Sequence, residues 1–127
     1  MENNKPFSVK ERGNSFKFAF AGIAAFFKQE HNTRIHLAGT IIVIALAIIF
    51  HVSSIEAIAL TLAIGFVWLA EIFNTALEKM MDFISTEKNS KIKFIKDVSA
   101  AAVLVAAITA LIIGCIVFIP KIVVCFR

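Results

Sequence analysis

The sequence predicts an all-α integral membrane protein, with an N-terminal amphipathic surface helix followed by three transmembrane helices in a single domain over residues 1–127. Three observations lead there. Apolar residues make up 59 % of the chain, above the roughly 45–50 % of soluble domains, and charged residues only 17 %, against about 25 %. The polar residues gather in blocks separated by long apolar runs. A soluble domain of 127 residues could not bury so much apolar surface, whereas lipid accepts it.

The elements follow in chain order. Residues 1–14 are polar, with no compact apolar stretch before a small-residue cleavage site, so no cleavable signal peptide is expected. The amphipathic helix is expected over 15–30. Phe16, Phe20, Ile23 and Phe27 recur at helical spacing and share one side, which suits a helix lying on the bilayer surface. The first span is expected over 35–52, followed by a turn at Ser53-Ser54. The apolar stretch from Ala57 to Ala70 is too short to span alone, but the helical pattern continues to Ile84. One helix over 56–84 is therefore expected, its last turns beyond the membrane surface. Residues 86–95 read as a polar, lysine-rich loop. The third span is expected over 97–119, opened by Lys96-Asp97 and ended by Pro120.

Basic residues set an orientation. Six precede the first span (Lys5, Lys10, Arg12, Lys17, Lys28, Arg34), and five lie between spans two and three (Lys79, Lys88, Lys91, Lys93, Lys96). The Ser53 turn has none, and the tail has Lys121 and Arg127. The positive-inside rule puts the N-terminus and the Lys88 loop in the cytoplasm and the Ser53 turn outside. The net charge of +4 flanks apolar segments instead of forming a stripe, so nucleic acid is not an expected partner.

Chemistry concentrates on the second span. At about 100° per residue, Glu78 and Asp82 return to within about 20° of Glu71, and Asn74 lies about 60° to one side. Ile72, Phe73, Ala76 and Met80 occupy the opposite face. An acid at the bilayer centre costs about 2.5–3.5 kcal/mol on insertion scales, and Glu78 and Asp82, four apart, repel. A solvated helix end is the plain reading of such a stripe. A divalent cation would relieve the repulsion, and Mg²⁺ favours one or two carboxylates plus phosphate oxygens. Glu30 and Lys96-Asp97 fall at the same membrane face, so the polar ring suits magnesium and a phosphorylated molecule. Glu71 and Glu78 stand roughly 10 Å apart along the axis, which fits two jobs better than one. No GxxxxGK[ST] phosphate loop occurs.

The run Glu71-Ile72-Phe73-Asn74-Thr75-Ala76-Leu77-Glu78, with Asp82 after it, resembles the E-x-x-N-[ST]-A-x-E-x-x-x-D signature of the prokaryotic diacylglycerol kinase family. The resemblance extends to Ser15-Phe16, Ala19, Gly22, Glu30, Asn32, Arg34-Ile35-His36, Lys96-Asp97 and Phe118-Ile119-Pro120-Lys121. The Glu30 to His36 stretch and the terminal Phe-Ile-Pro-Lys are closer to its undecaprenol kinase branch. The family often has Gly shortly after the Lys-Asp pair, where this chain has Val98-Ser99-Ala100-Ala101.

The resemblance implies an ATP-dependent lipid kinase working as a homotrimer, phosphorylating the hydroxyl of undecaprenol or diacylglycerol with Mg²⁺. It implies Glu71 as general base, and Glu30 and Glu78 as the residues holding Mg²⁺ against the ATP phosphates. Asn74, Lys96 and Asp97 would position the nucleotide, with Glu87 a further nucleotide contact. Ser15, Ala19 and Ala100 join Glu71 as lipid contacts, and Asp82 supports the site. A proton-coupled transporter using Glu71 is the alternative, but it needs one mid-bilayer acid and not a cluster at one surface. A non-catalytic assembly subunit would need neither Glu30 nor the Lys-Asp pair. His31, His36 and His51 read as interfacial hydrogen-bonding groups. Cys115 and Cys125 read as small hydrophobes, and Trp68 and the phenylalanines as lipid-facing or core residues.

Overall fold

A computed structural model describes residues 9–29, 32–85, 87 and 89–127. These form four helices: α1 (Val9–Gln29), α2 (Asn32–Ile49), α3 (Ser54–Ile84) and α4 (Ser90–Cys125). No strand occurs among the described residues. The chain divides into two compact units, Met1–Glu30 and His31–Arg127.

In the first unit, α1 starts at Val9, well before the expected Ser15. The predicted stripe stays largely uncovered, with Phe16 and Phe20 strongly exposed, but Phe18 is equally so, and Phe26 is buried. The apolar surface of α1 is thus broader than the one stripe. Phe26 and Phe27 meet edge to face, ring centroids 5.7 Å apart.

In the second unit, α3 packs chiefly against α4, and α2 lies more sparsely along α3. α3 and α4 are each long and apolar enough to cross a membrane. At 1.5 Å per residue their 31 and 36 residues exceed the roughly 30 Å hydrocarbon layer, so turns are left over for chemistry outside it. The core sits at the Ser53 end, where Leu60, Val117 and Phe118 are enclosed by Val43, Leu46, Ala47, Phe50, Val52 and Ile113.

Local hydrogen bonding explains the helix ends. α2 stops at Ile49, three residues before the expected Val52. The Val52 N–H donates to Ala47 O (3.1 Å) and the His51 N–H to Ile48 O (3.2 Å), a Schellman motif. His51 takes the left-handed position, with φ 46°. Ser53 caps α3 through a reciprocal box: its N–H donates to Glu56 Oε2 (2.7 Å) and its Oγ accepts from the Glu56 N–H (3.3 Å).

α4 departs from expectation at both ends. It begins at Ser90, so most of the expected lysine-rich loop is helical. Asn89 caps it, accepting from the Lys91 N–H at 2.9 Å, and lysine is a good helix former. Lys96-Asp97 therefore lie inside α4 and do not open it. Pro120 does not end the helix either. It lies within α4, which runs on to Cys125. The missing N–H deprives the Ile116 carbonyl of one bond, a loss that apolar helices tolerate where packing holds them. Here Lys121 reaches Glu56 Oε2 at 3.0 Å, tying the far turn of α4 to the start of α3.

Candidate active site

The acidic line of α3 is divided between two neighbours. Glu71 is buried, only 6 % exposed, and meets α2. Its Oε1 lies 2.6 Å from His36 Nε2. One turn away the Trp68 Nε1–H donates to Thr40 Oγ1 at 3.1 Å, and the Thr40 hydroxyl donates to His36 O at 2.8 Å. The His36 and Trp68 rings lie edge to face with centroids 6.4 Å apart.

Asn74 instead engages Glu78 and α4, and Asp82 engages α4 alone. Asn74 Nδ2 donates to Glu78 Oε1 at 3.2 Å. The hydroxyl of buried Ser99 lies 2.7 Å from Asn74 Oδ1 and 2.9 Å from Lys96 O. With one hydrogen, it donates to one of these at a time or shares it between them. Lys96 Nζ reaches Asp82 Oδ1 at 2.5 Å across the two helices. The helical period that aligns Glu71, Glu78 and Asp82 is therefore real, but α2 and α4 flank the stripe and each claims part of it.

Asp97 faces away from Asp82 and pairs with Lys93 one turn earlier on α4 at 2.5 Å, well exposed. Its direct partner is thus a surface lysine, and not one of the α3 acids. Even so, Lys96, Asp97 and Glu87 line one open cleft of about 460 Å³ with Asn89, Ser90, Ile92 and Lys93. A second, apolar cleft of about 750 Å³ runs between α3 and α4, lined by Ala63, Phe66, Ala70, Ala102 and Ala106, and reaches Asn74 and Ser99.

Ser15 and Ala19 are exposed on α1, where the Ser15 hydroxyl donates to Glu11 O at 3.1 Å. Ala100 is exposed on α4 beside Ser99. Glu30 and His31 lie outside the described residues. Among the described residues no group of three or more His, Cys, Asp or Glu side chains converges as a metal cage. The donor set at Glu78 still fits Mg²⁺, which takes one or two carboxylates and completes its shell with water and phosphate oxygens. Glu78 is half-buried, and its Oε1 is steadied by Asn74. Cys115 and Cys125 are free thiols.

Two residues gain weight from the geometry. His36 has a definite partner, Glu71, 35 positions away, which no local spacing could show. Ser99 lies in the Val98-Ser99-Ala100-Ala101 run after the Lys-Asp pair, and its hydroxyl joins α4 to Asn74.

The family model described as prokaryotic diacylglycerol kinase matches residues 17–118. A diacylglycerol kinase of Synechocystis is 36 % identical over 107 residues, covering 84 % of this chain and 61 % of that protein. The chain thus matches less than two thirds of that relative's length. An undecaprenol kinase of Bacillus subtilis is 35 % identical over 84 % of this chain and 87 % of its own. A diacylglycerol kinase of Escherichia coli K12 is 31 % identical over 85 % of both chains. The Synechocystis and Bacillus subtilis relatives, which carry the two different activity names, differ by one percentage point in identity. With the signature on α3 and a match over most of its length, the chain belongs to the prokaryotic diacylglycerol kinase family, a family of membrane lipid kinases.

Proposed function

We propose that the chain transfers the γ-phosphoryl group of ATP to the hydroxyl of a membrane lipid alcohol, undecaprenol or diacylglycerol. The observation that carries this reading is the division of the α3 stripe. A buried carboxylate at Glu71 meets α2, while a half-buried carboxylate at Glu78 is held by Asn74, whose amide oxygen meets Ser99 of α4, and Lys96 of α4 pairs with Asp82 one turn further on. The first suits a hydroxyl presented from the lipid, and the second suits a nucleotide arriving from water. A transporter needs no such second group, and membership of a lipid kinase family disfavours it.

Phosphoryl transfer asks mainly for positioning and charge neutralisation. Glu71 accepts the hydroxyl proton as the lipid oxygen bonds to the γ-phosphorus, and the bond to the β–γ bridging oxygen breaks, releasing ADP. Glu78, with Glu30, would hold Mg²⁺, which would neutralise phosphate charge. Asn74 orients Glu78, and Asp82 keeps Lys96 beside the cleft that Glu87 and Asp97 also line, where a nucleotide would lie. Ser15, Ala19 and Ala100 contact the lipid. α2 adds a third span, α1 lies on the surface, and the N-terminus and active site face the cytoplasm of a bacterial inner membrane. Another copy of the chain supplies the wall that three helices leave open, and the family resemblance implies a homotrimer.

Purified protein in vesicles with Mg-ATP labelled at the γ-phosphate, and either lipid, tests the reading. Label is expected on at least one lipid. Label on neither would sink it.

A further inference from the structure

We propose that His36 is a positioning residue for Glu71, an inference that rests on the lipid kinase reading above. The two side chains come from different helices and meet directly, Nε2 to Oε1 at 2.6 Å. That separation leaves no room for an intervening water. A carboxylate can only accept, so the imidazole supplies the N–H. Both groups are sheltered, the His36 side chain 20 % exposed and that of Glu71 8 %. A hydrogen bond to an ionised group in such surroundings is stronger and shorter than one between neutral partners.

The imidazole has a second neighbour besides Glu71. Trp68 packs edge-on against it, and Trp68 in turn donates to Thr40, whose hydroxyl closes back on the His36 carbonyl. His36 and Thr40 are one turn apart on α2, and Trp68 and Glu71 one turn apart on α3. The four residues therefore form a closed polar patch in an otherwise apolar helix contact. No hydrophobic packing requires polar groups here, and burying them unpaired would be costly.

The consequence for the chemistry is directional. With Oε1 held by the imidazole, the plane of the Glu71 carboxylate is fixed, and Oε2 is the oxygen presented to the lipid hydroxyl. A base that can rotate samples unproductive orientations, and small misplacements of reacting groups cost large factors in rate. In this role His36 acts through Glu71 and not on the nucleotide. Its effect should therefore appear in turnover and not in nucleotide affinity.

The test compares His36→Leu, which removes the donor, with His36→Gln, whose Nε2–H₂ can occupy the place of the imidazole donor. Both are assayed in vesicles with Mg-ATP and the lipid that the unaltered protein accepts. His36→Leu is expected to lower kcat by about 10- to 100-fold with KM for Mg-ATP within about two-fold, and His36→Gln to recover most of the loss. Equal impairment of the two variants overturns the proposal, because it would mark a packing role, and so does full turnover by His36→Leu. Should the Leu variant fail to fold, the Gln variant with near-normal kcat is the expected result, and a His36→Gln protein that is folded but inactive overturns the inference. A second readout is the ¹⁵N resonance of the His36 imidazole, expected to move in Glu71→Gln and not in Glu78→Gln; no movement in either overturns the contact. No transfer by the unaltered protein to any lipid would overturn the kinase reading itself, whereas an active parent with an equally active Leu variant overturns this inference alone.

Discussion

Glu71 and Glu78 carry the same functional group on one face of one helix, yet their surroundings differ, and the proposed roles differ with them. Glu71 is enclosed against α2, and Glu78 is half-buried and bonded to Asn74. Glu71→Gln is expected to abolish turnover while Mg-ATP binding survives. Glu78→Gln is expected to weaken both turnover and the response to magnesium, as magnesium titrations at fixed ATP would show. Equal behaviour of the two variants would remove the division of labour. Ser99 offers a finer test. Its hydroxyl lies against the Asn74 amide oxygen, which leaves the amide N–H₂ for Glu78. A neutral hydrogen bond of this kind contributes about 1 kcal/mol, close to a factor of five to ten in an equilibrium. Ser99→Ala should raise KM for Mg-ATP by about that factor with little change in kcat, measured by steady-state kinetics.

At the scale of the element, helix ends decide where α3 and α4 begin and thus which polar residues share a turn. The Schellman close of α2 places a histidine at a left-handed position, φ 46°, where a side chain is disfavoured by roughly 1–2 kcal/mol. His51→Gly removes that strain, while losing the weaker contact of His51 Nδ1 with Ile49 O, 3.1 Å apart. A gain of about 1 kcal/mol is expected, read as a higher thermal midpoint in detergent with activity unchanged. The lysines before Lys96 became helix and not loop because the Asn89 cap and the Lys93–Asp97 pair support it. The turn that carries Lys96 is therefore rigidly set opposite Asp82. That cross-helix pair is partly exposed, so its contribution to stability is about 0–1 kcal/mol. Its use is to direct the lysine.

On the scale of the whole molecule, most large apolar side chains of α2, α3 and α4 face outward, among them Phe66, Leu104, Leu111 and Ile116. The buried core is small by comparison. Such a surface belongs in lipid or against another copy. The orientation proposed from the lysine and arginine distribution can be tested with a cysteine-free background made by replacing Cys115 and Cys125. In intact cells a membrane-impermeant maleimide should label Ser53→Cys, while Glu87→Cys should label only after the membrane is opened. The reverse pattern would invert the topology.

Composition and helical period were enough to give the helical membrane class, the two longest spans and the residues of the acidic stripe, because those properties depend on residue type and on spacing within one helix. The family could be read from the α3 signature for the same reason. The division of that stripe could not. A helix has no means of stating from its own period which neighbour will face which polar residue, and Glu71 meets His36 only because α2 packs on one flank of α3 and α4 on the other. Pro120 shows the limit at a smaller scale: its local preference is to end a helix, and α4 passes through it into a turn where Lys121 bonds Glu56. Local chemistry named the candidate groups, and packing between helices assigned their partners.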